Sequence, residues 1–358
     1  MADVIDLADK IRYAICAVQR IRALTPHVPR VYDQRVLART ALVYVHAAIP
    51  LLQRLNNLAA GREAKNIRPR LKAMTDDFER DFSIIRHRIT AHRQTVDLLE
   101  ELDAWRKVHD DCVAWFETEL IETYETIRSE ATTVPQLLRP TSLTDTEATA
   151  LRNALAPDGL VRYNQSAQAL AGDDQTSRIL PAHEVQRRGQ DLWAIYDAIG
   201  LALTIVGALH NRQYARLFLS VLATEFVAFF DTLYDDQNPS LALRERSFLD
   251  ILRDLEDADE SIAILDGAQA ELPLTARDRT LRNRIGAHID ADRPLPLLIS
   301  DLDAYDFAFV NGWYEHAFDA YFRSLHVTRN LRSLAIHRRV LTNVISVHQA
   351  DPAPPYHS

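Results

Sequence analysis

A seven-residue stretch that occurs twice decides how this 358-residue sequence is organised. Residues 86–92 read RHRITAH and residues 282–288 read RNRIGAH, so five of the seven positions are identical. The match continues downstream, where residues 102–105 read LDAW and residues 302–305 read LDAY. Two copies in register indicate a duplicated domain. With only two copies, we predict a pseudo-dimer of similar halves rather than a solenoid.

Apolar residues around both copies recur at helical spacings of three, four and seven. Three such series predict buried amphipathic helices, at residues 98–127, 185–206 and 298–313. Each half also contains an Ala-Arg pair, at 38–39 and 215–216, near the start of a comparable apolar helix. The 9 glycines and 15 prolines are few for an all-β chain, which turns every 8–12 residues. The fold class is therefore predicted to be all-α.

The stretch between the halves, residues 131–182, loses this periodicity and collects proline, glycine and polar clusters. Within it, Thr144 and Glu147 fit a capping box, which predicts a short helix from about 145 to 156. We therefore predict four segments: a helical bundle at 1–130, an irregular linker with a short helix at 131–180, a second bundle with an extra terminal helix at 181–348, and a tail at 349–358.

The net charge and the length of the apolar runs indicate which binding partners and which cellular compartment to expect. With 41 basic and 50 acidic residues, the net charge of −9 argues against non-specific coating of nucleic acid. Residues 61–93 differ, with 9 Lys/Arg against 5 Asp/Glu, a pattern that is more often a solvated helix face than a binding site. The chain begins without a signal-peptide pattern, and its longest apolar run, 199–209, is shorter than the roughly 20 residues that span a bilayer. We expect a cytoplasmic protein that does not associate with membranes.

Each repeated stretch places an arginine, a polar residue, four further residues and then a histidine. This arrangement resembles the Arg-polar-x4-His motif of the HEPN superfamily, small helical bundles found in prokaryotic defence and toxin systems. The second copy is particularly similar to abortive-infection-type HEPN proteins. The resemblance implies two HEPN-like helical bundles arranged as a tandem pseudo-dimer, with the two motifs facing each other across one composite cleft.

The activity that the resemblance implies is a metal-independent endoribonuclease, acting as a prokaryotic toxin or phage-defence effector. The catalytic residues carried over onto this sequence are Arg86, His92, Arg282 and His288. The supporting residues are His87 and Asn283 in the polar position, together with Arg88, Arg284 and Glu225. We expect RNA as the substrate and neither a metal nor a cofactor. An antitoxin or regulatory protein and a second copy of the chain are the further partners considered.

The chemistry of RNA cleavage agrees with these residue types. Without a metal, the 2′-hydroxyl of RNA attacks its own phosphate, a reaction that needs proton transfer near neutral pH. Histidine performs this transfer best because its pKa is close to 7. A planar arginine stabilises the negative charge that grows on the phosphoryl oxygens. Two histidines and two arginines on facing helices supply base, acid and phosphate clamp.

Helix geometry leaves open which arginine acts. Residues six apart on an ideal helix lie roughly 120° apart around its axis, so Arg282 and His288 do not share a face. Arg284 and His288, four apart, do. Either Gly286, and Thr90 in the first copy, loosen the helix before the histidine, or the long arginine side chain reaches round it. The third interpretation is that Arg284, and Arg88 in the first copy, are the functional arginines.

Glu225 interrupts an apolar stretch, residues 218–230, and a buried carboxylate needs a partner. We consider a motif arginine as that partner. The alternative function is a non-catalytic HEPN-type scaffold that binds a partner protein or a nucleotide, in which the repeated arginines hold the two halves together.

Overall fold

The computed structural model describes residues 2–59, 67–84, 104–138, 140, 142–156, 183–209, 211–234, 246–271, 280–286, 289–305 and 307–328. Within these ranges the chain is helical and contains no β-strand, so the all-α prediction is confirmed. The α-helices are α1 (Ala2–Leu24), α2 (Val31–Ala59), α3 (Ile67–Ile84), α4 (Asp110–Glu130), α5 (Asp145–Ala154), α6 (His183–Ala208), α7 (Arg212–Tyr234), α8 (Phe248–Leu252), α9 (Asp259–Glu271), α10 (Leu295–Asp303) and α11 (Phe307–Val327). A 3-10 helix (Thr25–His27) and a π-helical turn (Arg282–Gly286) complete the set.

Two pairs of long helices form the centre of the molecule. Helix α1 packs along α2, and α6 packs along α7. The stripe predicted over residues 185–206 lies on α6, where Val185, Leu192 and Ile199 are buried. Helix α2 continues through Pro50, although proline removes one backbone hydrogen bond from a helix interior. Burial of the apolar stripes therefore holds these helices together more than local propensity does.

The other two predicted stripes each correspond to more than one helical segment. In the first, a helical turn at residues 104–107 is followed by extended backbone at His109, with φ −146° and ψ 169°, and then by α4. In the second, α10 ends at Asp303 and α11 begins at Phe307. Trp105 and Tyr305 are buried beside these breaks. The apolar spacing correctly identified buried residues, but it did not show that the backbone changes direction.

The linker contains the helix that the capping box predicts. Helix α5 begins after Thr144, whose hydroxyl accepts a hydrogen bond from the backbone N–H of Glu147 at 3.2 Å. The Glu147 carboxylate accepts in return from the backbone N–H of Thr144 at 2.8 Å. These two bonds satisfy two donors that a helix start otherwise leaves unpaired. Helix α5 buries Leu151 and packs against α6.

One contiguous hydrophobic core runs through the described part of the chain and includes residues from both halves. Aromatic rings are prominent in it. In the first half, the ring centroid of Phe116 lies 5.8 Å from those of Phe78 and Phe82. In the second half, the rings of Tyr196 and Phe318 stack at 4.0 Å. The two halves therefore share one core within the described residues.

Three segments are long and apolar enough, by length and composition alone, to cross a membrane: Val31–Leu58, Asp191–Ala208 and Arg212–Tyr234. The prediction of no membrane association is therefore wrong. It considered only uninterrupted apolar runs. A charge such as Glu225 interrupts a run, while the mean hydropathy of an 18-residue window within Arg212–Tyr234 stays at 1.5. Most of Val31–Leu58 and Arg212–Tyr234 is buried inside the protein.

Replacing Phe116 with alanine tests the importance of the first aromatic cluster. Phe116 is fully buried between Phe78 and Phe82, so its removal leaves a cavity. We expect the free energy of unfolding to fall by about 3–5 kcal/mol, measured by urea denaturation. Leu138→Ala is the control, because the Leu138 side chain is exposed and its truncation creates no cavity. Equal effects of the two substitutions contradict this prediction.

Candidate functional site

The structure describes only part of the predicted site. The predicted residues that lie outside the described part of the chain are Arg86, His87, Arg88, His92 and His288. For Arg282 the structure describes the backbone. The geometry of the site therefore comes from Asn283, Arg284 and Glu225, and from the segments that flank the two motif copies.

The second motif copy begins with a π-helical turn, Arg282–Gly286. A π turn is wider than an α-helical turn, and isolated π turns are frequent at functional sites. Beyond it, the backbone N–H of Asp290 donates to the carbonyl oxygen of Arg284 at 2.9 Å. The ideal α-helical spacing assumed for this motif therefore does not hold across residues 282–286. This favours the interpretation that Gly286 loosens the helix.

Apolar side chains anchor this turn and leave its polar positions outside. Leu281 and Ile285 are buried, and the turn packs against α7. Asn283 is exposed, and Arg284 is partly exposed. The described residues of the second copy thus present an amide and a guanidinium toward solvent from a backbone that the core holds in place.

Arg284 shares a carboxylate with a second arginine. Its Nη1 lies 3.9 Å from Oδ2 of Asp301, while Nη2 of Arg293 lies 2.8 Å from the same oxygen. An ion pair at 3.9 Å between partly exposed groups contributes little to stability. The side chain of Arg284 therefore lies beside Asp301 without forming a strong ion pair with it.

The loop that follows the second copy is attached to the first half of the chain. The buried Lys10 ammonium donates to the carbonyl oxygen of Ala291 at 2.8 Å and forms an ion pair with Asp6 at 2.7 Å. The Asp6 carboxylate also accepts from the backbone N–H of Leu295 at 2.8 Å. The sequence did not reveal this contact, because Lys10 is one of four basic residues on α1.

A second ion pair extends this attachment to α2. Nη1 of Arg54 lies 3.1 Å from Oδ1 of Asp292, four residues after His288 in the sequence. Both partners are exposed, so this pair is weaker than the contacts of Lys10. Together the contacts fix residues 290–295 against α1 and α2.

The residues that follow the first copy are held by two buried arginines of α2. Arg35 donates to the carbonyl oxygen of Trp105. Burial lowers the pKa of Arg35 because it disfavours the charged form. The guanidinium of Arg39 lies 5.9 Å from the centroid of the Trp105 ring, a cation–π contact. The tryptophan of the repeated LDAW sequence is therefore packed against α2.

Arg39 also makes a buried polar contact between the two halves. Its Nη2 lies 2.5 Å from Oε1 of Glu225 on α7, and both side chains are almost completely buried. Arg39 is thus a partner of Glu225 among the described residues. The motif arginine considered above stays a prediction, because the side chains of Arg86, Arg88 and Arg282 lie outside the described part of the structure. The sequence did not single out Arg39, because α2 also contains Arg35 and Arg54.

The corresponding arginine of the second half, Arg216, makes a different contact. Its Nε and Nη2 donate to the two carboxylate oxygens of Asp303 at 2.8 and 2.5 Å. Hydrogen bonding by Arg216 lowers the pKa of Asp303. Asp303 belongs to the repeated LDAY sequence, so an Ala-Arg arginine contacts the segment downstream of the motif in both halves. Asp103 of the first copy lies outside the described residues.

No group of three or more His, Cys, Asp or Glu side chains that could hold a metal ion occurs among the described residues. The expectation of a metal-independent site stays a prediction. No family model matches the chain, and neither the curated proteins nor the solved structures include a significant match.

Removing one partner of the Arg39–Glu225 pair tests its importance. Glu225→Gln leaves the Arg39 charge buried without its counter-ion, so we expect the free energy of unfolding to fall by about 3 kcal/mol or more in urea denaturation. The double variant Arg39→Met/Glu225→Leu removes both charges and should recover most of this loss. Asp319→Asn, which breaks the exposed Arg323–Asp319 pair, is the control and should change stability little. A Glu225→Gln protein as stable as the wild type contradicts the prediction.

Proposed function

We propose that this chain is a metal-independent endoribonuclease of the HEPN type, built as a tandem pseudo-dimer with one composite site, and acting as a toxin or phage-defence effector. The observation that carries the proposal is the in-register repeat, whose copies follow similar series of helices. In the first half, α1, α2 and α3 precede the motif, and the LDAW sequence and the 21-residue α4 follow it. In the second, α6 to α9 precede the motif, and the LDAY sequence and the 21-residue α11 follow it.

In the proposed site, Arg86, His92, Arg282 and His288 act on one phosphodiester. One histidine takes the proton of the 2′-hydroxyl, whose oxygen attacks the adjacent phosphorus. The other gives a proton to the departing 5′-oxygen. The products are a 2′,3′-cyclic phosphate and a 5′-hydroxyl. The arginines stabilise the negative charge on the phosphoryl oxygens during the reaction.

Two features of the described residues support this proposal. Asn283 of the π-helical turn is exposed and Arg284 is partly exposed, and a long, partly exposed ion pair joins Arg284 to Asp301. Exchanging that carboxylate for an RNA phosphate costs little. The segments downstream of both copies also contact the opposite half, directly through residues 290–295 and indirectly through the Trp105–Arg39–Glu225 contacts. One composite site within a single chain requires such an association of the halves.

One observation favours the scaffold function as a second candidate. The contacts of Lys10 with Asp6 and Ala291, and of Arg39 with Glu225, are buried and hold the halves together. A scaffold that binds a partner protein or a nucleotide explains these contacts without any chemistry at the histidines. The two functions therefore predict different results when the histidines are replaced. The ribonuclease loses its RNA cleavage, whereas the scaffold has no cleavage to lose.

Alanine substitution of the motif residues tests the enzyme against the scaffold. Purified protein is incubated with mixed RNA in EDTA, and fragments with 2′,3′-cyclic or 3′-phosphate ends are quantified. His92→Ala and His288→Ala should each slow cleavage by about 10² to 10⁴, because each removes a proton-transfer group. We expect the larger effect at His288, since the second copy keeps the Arg-Asn form. Arg282→Ala should weaken both RNA binding and cleavage, because it removes a charge-assisted contact to phosphate.

His27→Ala is the matched control, because His27 lies in the short 3-10 helix outside both motif copies. It should cleave RNA at the wild-type rate, and the melting temperature of every variant should stay close to that of the wild type. A stable His92→Ala/His288→Ala protein with full activity rejects the proposed site. Intact RNA with the wild-type protein, across buffers with and without divalent ions, favours the scaffold.

A further inference from the structure

A polar cleft of about 430 Å³ lies between α2 and α3. Three amide side chains of α2 line one side: Gln53, Asn56 and Asn57. Arg68 and Lys72 of α3 line the other. Ligand pockets commonly have volumes of roughly 300–1,000 Å³, so the cleft is large enough for one nucleotide.

Some side chains around the cleft are held in place by hydrogen bonds, and others are exposed. Gln53 donates to the hydroxyl of Thr75 at 3.2 Å, and this hydroxyl donates to the carbonyl oxygen of Leu71 at 2.8 Å. These bonds tie α2 to α3. Lys72 forms an ion pair with Asp76, but both groups are exposed, and such pairs exchange partners at small cost. Within the described ranges, Arg68 has no ion pair, and it is exposed.

Charge favours an anionic ligand at this place. Arg68 and Lys72 bring two positive charges to the lining of the cleft, against one negative charge from Asp76. A guanidinium and an ammonium at one rim suit phosphate oxygens. Amides offer both a donor and an acceptor, the combination that reads the Watson–Crick edge of an unpaired base. None of the described residues that line the cleft is aromatic, so the proposed recognition rests on phosphate and amide contacts rather than on base stacking.

The cleft is also connected to both motif copies. Helix α3 ends at Ile84, two residues before the first copy begins. On α2, Arg54 lies within the amide-bearing segment and forms an ion pair with Asp292, which follows the second copy by four residues. A strand bound in the cleft therefore contacts α3, which leads to the first motif copy in the sequence. It also contacts α2, which forms an ion pair with the loop after the second copy.

We propose that the cleft between α2 and α3 binds one nucleotide of a single-stranded RNA, with Asn57 and its neighbouring amides contacting the base edge and Arg68 and Lys72 contacting phosphate. The assignment of the strand as substrate rests on the proposed ribonuclease function, whereas the binding itself does not. A free nucleotide shares this chemistry, so the experiment separates the two ligands.

The test measures binding of wild-type protein to a fluorescein-labelled 2′-O-methyl RNA 12-mer, which lacks the 2′-hydroxyl nucleophile and stays intact. Arg68→Ala should weaken binding by about tenfold, because it removes a charge-assisted contact. It should also lower the slope of log K against log salt by about 0.7, the value for one phosphate of a single strand. Lys72→Ala should lower the slope similarly. Asn57→Ala should change the preference among homopolymers and leave the slope unchanged.

Arg152→Ala is the matched control, because Arg152 is exposed on α5 and its loss changes the net charge equally. It should leave the affinity unchanged. Unlabelled AMP, CMP, GMP or UMP that displaces the RNA identifies a free nucleotide as the ligand, and failure to displace it identifies the strand. Both results support a nucleotide cleft. Unchanged binding in both Arg68→Ala and Lys72→Ala overturns the proposal even if unmodified RNA is cleaved. Weakened binding in these variants, together with no cleavage of unmodified RNA by the wild-type protein, rejects only the ribonuclease function.

Discussion

The buried ion pair between Arg39 and Glu225 constrains how the two halves of this protein fit together. Two charges are removed from water at the contact between α2 and α7, and their nitrogen and oxygen atoms meet at 2.5 Å. Any arrangement that separates them leaves an uncompensated charge in the core, which costs about 3–5 kcal/mol. Two purely apolar helix surfaces can shift along each other at a smaller cost in free energy, whereas this ion pair forms in only one alignment of α2 and α7. The same guanidinium contacts Trp105, so the segment after the first motif copy shares this constraint.

Other polar contacts between the halves agree with that register. The hydroxyl oxygens of Tyr44 on α2 and Ser220 on α7 lie 2.6 Å apart, and Ser220 donates to the carbonyl oxygen of Leu217. Tyr44 is therefore the donor to Ser220, and burial raises the pKa of Tyr44 well above its ordinary value. Lys10 fixes the loop after the second motif copy against α1. The flanks of both copies thus depend on one interface, and the proposed composite site depends on that interface as well.

Sequence periodicity predicted the all-α class and the capping box predicted the start of α5, because both depend on neighbours along the chain. The breaks at His109 and after Asp303 were not predicted, since the apolar spacing is satisfied equally by one helix or by two that pack together. The partner of Glu225 could not be chosen from sequence, because many arginines compete and only tertiary packing selects Arg39. The capacity of α2 and α7 to cross a membrane was missed because charged residues interrupt their apolar runs. The four proposed catalytic side chains remain predictions from the repeat.

The central claim is that the two motif copies meet in one site, and a distance measurement tests it most directly. Spin labels on a His92→Cys/His288→Cys protein, diluted with unlabelled chain, report the separation within one molecule by double electron–electron resonance. Cys16 and Cys112 are buried, and the wild-type protein provides the background for their labelling. If both side chains reach one phosphodiester, the two spin labels lie within roughly 20 Å of each other. We therefore expect a single narrow distribution of label–label distances below that value. A distribution centred well beyond it contradicts the composite site.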